Sequence, residues 1–82
     1  VRAVRAAVDV PILVRFSATD WTEGGWDEHQ TATVAQWALE AGADLFDISS
    51  GGLVRAAIPV GPGYQVPLAE HVRREGNVAV GA

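Results

Sequence analysis

Helix-like and strand-like stretches alternate along all 82 residues of the chain. Apolar residues at helical spacing indicate the helices, and short apolar runs bounded by turn residues indicate the strands. In chain order the expected helices are 1–8, 28–41 and 67–76, and the expected strands are 12–17, 44–50 and 77–81. This alternation is typical of parallel strands joined by right-handed crossovers. Since a complete (β/α)8 barrel takes about 250 residues, we predict an α/β fold that is a partial TIM barrel of about three βα units.

The links that follow the first two strands are longer than the links that follow the helices. Segment 18–26 contains two glycines and two tryptophans, and segment 51–65 is about fifteen residues long. Strand-to-helix links of about 2–6 residues are common. In a (β/α)8 barrel the chemistry lies on the loops that follow the strands. We therefore expect 18–26 and 51–65 to border the functional site.

The first strand carries one arginine, Arg15, in the middle of its apolar run. Because successive side chains of a strand point to opposite faces, Arg15 shares a face with Leu13 and Ser17. A guanidinium cannot lose its proton, so burying it requires an anion or several acceptors. Two readings follow: an ion pair with Asp47 or Asp20, or a fixed positive charge that a ligand needs.

Composition excludes several classes of function. The net charge is −4, and the six basic residues, all arginines, are scattered, which argues against nucleic-acid binding. Cysteine is absent, so there is no disulfide framework, which fits a reducing, cytoplasmic compartment. No apolar run approaches the roughly 20 residues of a membrane span. We expect no membrane, nucleic-acid or metal partner.

Several other side chains invite a functional reading, but a structural one is favoured for each. His29 and His71 lie among polar neighbours and are expected to be solvated rather than catalytic. Tyr64, the only tyrosine, is expected to pack its loop rather than donate a proton. Trp21 and Trp26 could wall a pocket, but tryptophans in glycine-rich loops more often fix the loop.

The ends of the chain suggest a piece of a larger protein. It starts at Val1 rather than Met, and it stops at Ala82 within a strand-like run. We therefore expect residues 1–82 to be a fragment of a single domain.

Four segments occur together in an order that resembles one known family. They are Val-Arg-Phe-Ser-Ala-Thr-Asp-Trp (14–21), Glu-Gly-Gly-Trp-Asp (23–27), Asp-Ile-Ser-Ser-Gly-Gly (47–52) and Ile-Pro-Val-Gly-Pro-Gly-Tyr-Gln-Val-Pro (58–67). They resemble the Old Yellow Enzyme family of NAD(P)H:flavin oxidoreductases, in its xenobiotic-reductase or thermophilic-like branch. The resemblance covers nearly the whole chain and implies roughly strands five to seven of an FMN-binding barrel.

The resemblance implies a cofactor, a reaction and one site residue. Family members bind FMN without a covalent bond, reduce it with NAD(P)H and pass hydride to an activated alkene. Arg15 matches the family's arginine beside the pyrimidine end of the flavin, where a fixed positive charge favours the reduced form. The family's substrate-anchoring and proton-donating residues come from earlier segments, so no catalytic residue is expected in this chain. The chain alone should be inactive. The resemblance does not decide whether the intact parent enzyme is a homo-oligomer.

The sequence is also compatible with two alternative functions. One is another FMN barrel, such as a dienoyl-CoA reductase or trimethylamine dehydrogenase relative, which shares the cofactor but not the substrate. The other is a non-catalytic βα module that self-associates through its open strand edges.

Overall fold

Three helices alternate with three strands in the computed structural model, which describes residues 1–52 and 56–82. In chain order the elements are α1 (Arg2–Ala7), β1 (Leu13–Ser17), α2 (Glu28–Glu40), β2 (Leu45–Ser49), α3 (Val66–Gly76) and β3 (Val80–Gly81). Every predicted element is present, although the third strand has only two residues. The predicted loop 51–65 lies partly outside the described residues.

The three strands form one parallel sheet in the order β1-β2-β3. Arg15 lies opposite Asp47 in the first pair of strands, and Phe46 lies opposite Val80 in the second. Parallel neighbours need a crossover, and α2 and α3 supply the two crossovers. The predicted α/β fold with parallel strands is therefore confirmed.

A capping box defines the start of α2. The Gln30 backbone N–H donates to the Asp27 carboxylate at 2.9 Å, and the Asp27 N–H donates to the Gln30 side chain at 3.1 Å. These two bonds pair backbone N–H groups that have no acceptor within the helix at its N-terminus. After the helix, Gly42 takes a φ of 114°, which favours glycine. The helix expected from the sequence is thus formed with nearly the expected ends.

The core lies on one face of the sheet, under α2 and α3. Phe46 and Val72 are fully buried there, and the Phe16 ring stacks on the Phe46 ring with centroids 5.8 Å apart. The described residues leave the other face bare, and Leu13 on it is 61% exposed. The chain therefore covers one side of its sheet and leaves the Arg15 side open.

Helices α2 and α3 approach closely where α3 ends. A Cβ added to Gly76 would lie 3.0 Å from the Ala32 carbonyl oxygen, so a side chain there would force the helices apart. The left-handed residue that closes α3 is Asn77, with a φ of 53°. The helix therefore ends at Gly76, as predicted, and Gly76 itself is a helical residue at the close approach of α2 and α3.

None of the helices in the described ranges combines the length and the apolar character that crossing a membrane requires.

Candidate functional site

The carboxyl ends of β1 and β2 and the loops that follow them form the candidate site. Parallel strands place these ends side by side, so both loops leave the sheet at the same edge. Backbone bonds hold the loops together: the Ala18 N–H donates to the Ser49 carbonyl at 2.9 Å, and the Gly51 N–H donates to the Thr19 carbonyl at 2.8 Å. The two loops therefore act as one rim.

Arg15 stands on the open face of the sheet just below this rim. Its Nη1 lies 3.4 Å from Asp47 Oδ2, and its Nη2 donates to Ser49 Oγ at 3.1 Å. The side chains of Arg15 and Asp47 are 69% and 43% exposed. Arg15 is thus exposed rather than buried, because none of residues 1–52 and 56–82 forms a layer over that face. Of the two carboxylates considered, Asp47 is its partner and Asp20 is not.

The Arg15 guanidinium can still bind an anionic or carbonyl group. It carries more N–H donors than the two contacts with Asp47 and Ser49 use. Asp47 and Ser49 fix its direction, and the open sheet face leaves it room for a planar ligand. The arrangement fits the pyrimidine edge of a flavin, whose carbonyl and N1 positions accept hydrogen bonds.

Asp20 serves the loop after β1 rather than the open face. It is only 8% exposed, and its Oδ2 accepts the Trp26 backbone N–H at 2.9 Å. The Asp20 N–H donates to the Trp26 carbonyl at 2.9 Å, so the two residues close a small ring. The Asp20 carboxylate therefore holds the loop rather than pairing with Arg15.

The buried hydroxyl of Thr31 ties the same loop to α2. It accepts the Trp26 indole N–H at 2.7 Å and lies 2.9 Å from the Ala18 carbonyl and 3.1 Å from the Asp27 carbonyl, either of which can accept its proton. Trp26 thereby fixes the loop, as expected. Thr31 is a residue that the sequence interpretation missed, since nothing in its spacing separates it from an ordinary helical threonine.

Trp21 and Tyr64 meet across the rim. Their ring centroids are 6.3 Å apart with an interplanar angle of 29°. Trp21 follows β1 and Tyr64 follows β2, so the contact joins the two loops. Trp21 also has a φ of 60°, which is uncommon for a residue with a side chain.

His29 and His71 form a second pair that the sequence interpretation missed. Their rings meet edge to face with centroids 4.5 Å apart, across α2 and α3. They line a cavity of about 260 Å³ with Ala32, Thr33, Gln36 and Glu75. The expectation that both are simply solvated is wrong for His71, whose Nε2 is buried without a hydrogen-bond partner in residues 1–52 and 56–82. Only the packing of the two helices brings them together.

The described part of the chain contains no group of three or more His, Cys, Asp or Glu side chains arranged to hold a metal ion.

Curated proteins named NADPH dehydrogenase are similar to the chain over nearly all of its length. The protein of Halalkalibacterium halodurans is 49% identical over 79 residues, which is 96% of this chain. Those of Listeria monocytogenes serotype 4a and Bacillus velezensis are each 46% identical over 82 residues, the whole chain. The chain spans only about a quarter of these relatives, 23% of the first and 24% of the other two. No protein-family model matches it.

Proposed function

We propose that the chain forms part of the flavin site of an Old Yellow Enzyme-type NADPH dehydrogenase, since 96–100% of it aligns with about a quarter of such enzymes. In this proposal its sheet supplies strands five to seven of a (β/α)8 barrel. The bare face of the sheet points into that barrel and lies against FMN. In this proposal the chain alone is inactive, because the substrate-anchoring and proton-donating residues of the family come from earlier segments.

The observation that carries the proposal is the exposed Arg15 guanidinium. Asp47 and Ser49 hold it at the open face, and it retains N–H donors for a further acceptor. Arg15 donates these N–H groups to the pyrimidine end of the flavin, where negative charge collects on reduction. Its positive charge therefore favours the reduced cofactor. Bound FMN supplies the redox chemistry, accepting electrons from NADPH and passing them to the substrate.

The proposed reaction is the reduction of an activated C=C bond, next to a carbonyl group, in a small molecule. NADPH is the reductant that the names of the relatives give, and it is supplied in the cytoplasm, where we place the enzyme. Another FMN barrel, of the dienoyl-CoA reductase or trimethylamine dehydrogenase kind, would use the same contact from Arg15 with a different substrate.

One observation favours a second candidate function. The sheet has a bare face with an exposed Leu13, and β1 and β3 have no outer neighbour within the described residues. Unpaired strand edges beside an apolar face promote association between chains. As an isolated polypeptide, the chain could therefore be a self-associating βα module without catalysis.

An exchange of segments tests the proposal. In a chimaera, these 82 residues replace those that align with them in the Listeria monocytogenes enzyme. We expect the chimaera to be soluble, to retain FMN and to oxidise NADPH with 2-cyclohexen-1-one at a rate within about tenfold of the parent. A soluble chimaera without flavin would contradict the role of the segment. An insoluble one would contradict its equivalence to the replaced barrel quarter.

A further inference from the structure

We propose that His29 and His71 bind a divalent transition-metal ion between α2 and α3. Imidazole nitrogens are well suited to Zn²⁺ and Cu²⁺. The pair lies in the helix layer over the core, whereas Arg15 lies on the other, bare face of the sheet. The inference is therefore independent of the proposed flavin function. It departs from the expectation of no metal partner, because only the packing of the two helices brings these histidines together.

The spacing of the two rings suits a shared ion. Their centroids lie 4.5 Å apart, and their planes are at 88° to each other. When two imidazoles bind one ion at about 2.0–2.1 Å per nitrogen, the ring centroids lie about 4.5–5.2 Å apart at the bond angles of square-planar and tetrahedral sites. Helices α2 and α3 therefore already hold the rings at a suitable separation, and coordination requires mainly a rotation of one ring.

His71 offers a nitrogen that the described residues leave without a partner. Its Nε2 is buried and makes no hydrogen bond within residues 1–52 and 56–82. A buried polar atom without a partner costs free energy, and a bound ion is one of the ways in which proteins satisfy such an atom. A neutral imidazole can present Nε2 as a lone pair, which is the form that binds a metal. An ion at this nitrogen supplies the missing interaction.

His29 can rotate to meet an ion bound at His71. Its side chain is 71% exposed, so the ring can turn without disturbing the core. Its Nε2 lies 3.9 Å from Oε1 of Glu28, which leaves Nδ1 for the ion. A carboxylate beside the second nitrogen is a common arrangement around metal-bound histidines, because it orients the ring and makes it a better ligand.

The cavity between the helices favours a cation. It has a volume of about 260 Å³ and is lined by His29, Ala32, Thr33, Gln36, His71 and Glu75. Glu75 lies one helical turn after His71, on the same side of α3, and brings a negative charge to the cavity. The ion keeps water molecules as further ligands, since the described residues place no three His, Cys, Asp or Glu side chains together around one point.

Copper bound to the 82-residue chain tests the site. Cu²⁺ is the probe because it binds nitrogen ligands most tightly among the divalent first-row metals, and its pulsed EPR spectrum counts the imidazoles that bind it. The chain has two histidines and no cysteine, so each imidazole signal comes from His29 or His71. We expect one Cu²⁺ per chain with two imidazoles, and loss of the two-imidazole signal in concentrated urea.

Substitution of either histidine should weaken the site. His29→Gln and His71→Gln should each leave one imidazole on copper and raise the Kd from titration calorimetry at least about tenfold, because two ligands on one scaffold bind more tightly than either alone. Glu70→Gln is the matched control, since it removes a carboxylate from the same helix but outside the cavity. Its Kd should stay within about twofold of the unsubstituted chain. Should His71→Gln fail to fold, the exposed position of His29 keeps the comparison available.

Three results would overturn the site: no more than one imidazole on copper in the unsubstituted chain, one ion shared by two chains, or an unchanged Kd in His29→Gln. Each of them would leave the proposed function intact, because FMN is proposed to lie on the other face of the sheet. A chimaera without flavin would in turn leave the metal site intact.

Discussion

Arg15 and Asp47 lie directly opposite each other on neighbouring parallel strands, with Nη1 of the guanidinium 3.4 Å from Oδ2 of the carboxylate. Both side chains are well exposed, and exposed ion pairs contribute only about 0–1 kcal/mol to stability. Stability alone therefore gives little reason for an arginine at this register position. The position of Arg15 is better explained by a ligand. Asp47 orients the guanidinium on the open face, and the ligand would accept hydrogen bonds from its remaining N–H groups.

The isolated chain should associate with itself. The sheet exposes Leu13 on its bare face, and edge strands with apolar surface attract further strands. Leu13→Lys should therefore reduce the average mass measured by light scattering during size-exclusion chromatography. Val60→Lys is the matched control, because Val60 is 75% exposed and lies outside the sheet, and it should have no effect. A monodisperse monomer of the unsubstituted chain that melts cooperatively would contradict this account.

Thr31→Val should destabilise the loop that follows β1. Thr31 is fully buried, and its hydroxyl accepts from the Trp26 indole and lies within hydrogen-bond distance of the Ala18 carbonyl. Valine keeps the shape but leaves those groups unpaired, which costs about 1–3 kcal/mol. Urea unfolding of the chimaera without flavin measures the loss. Thr33→Val, on the exposed side of α2, is the control and should change stability by less than about 0.5 kcal/mol; equal losses would argue against the role of Thr31.

Asp27→Ala should weaken the start of α2. It removes the side-chain acceptor for the Gln30 N–H, and loss of an N-cap costs about 0.5–2 kcal/mol. Asp9→Ala is the comparison, because Asp9 makes no side-chain hydrogen bond within the described ranges, and it should leave the free energy of unfolding nearly unchanged. The same urea titration measures both. An Asp27 variant as stable as the Asp9 variant would show that tertiary packing alone holds this helix end.

The fold could be predicted well from the sequence because its signals are local. The Asp27–Gln30 spacing and the glycine at position 42 mark α2 without reference to the rest of the chain. The alternation of elements was enough to predict parallel strands. The four motifs that resemble the Old Yellow Enzyme family led to the same family as the matches at 46–49% identity.

The features that escaped prediction all depend on tertiary packing. Gly76 ends α3 as predicted, but its close approach to the Ala32 carbonyl depends on how the two helices pack. His29 and His71 meet only because α2 and α3 pack together. The exposure of Arg15 depends on what packs against its face of the sheet. The alternation of side chains along a strand shows which face Arg15 is on, but not whether other residues cover that face.

The reduction potential of the flavin tests the central claim most directly. In the chimaera, Arg15→Ala removes a charge-assisted contact worth about 1.5–3 kcal/mol, which should lower the two-electron potential by about 30–65 mV and weaken FMN retention. Arg15→Lys keeps the positive charge but loses the planar guanidinium. Its reduction potential should therefore lie between that of Arg15→Ala and that of the unsubstituted chimaera. Asp47→Asn removes the neighbouring negative charge and should shift the potential upwards. Opposite shifts in Arg15→Ala and Asp47→Asn are the result that a flavin contact predicts. An unmoved potential with full FMN occupancy in both variants would contradict it and leave Arg15 as the structural partner of Asp47.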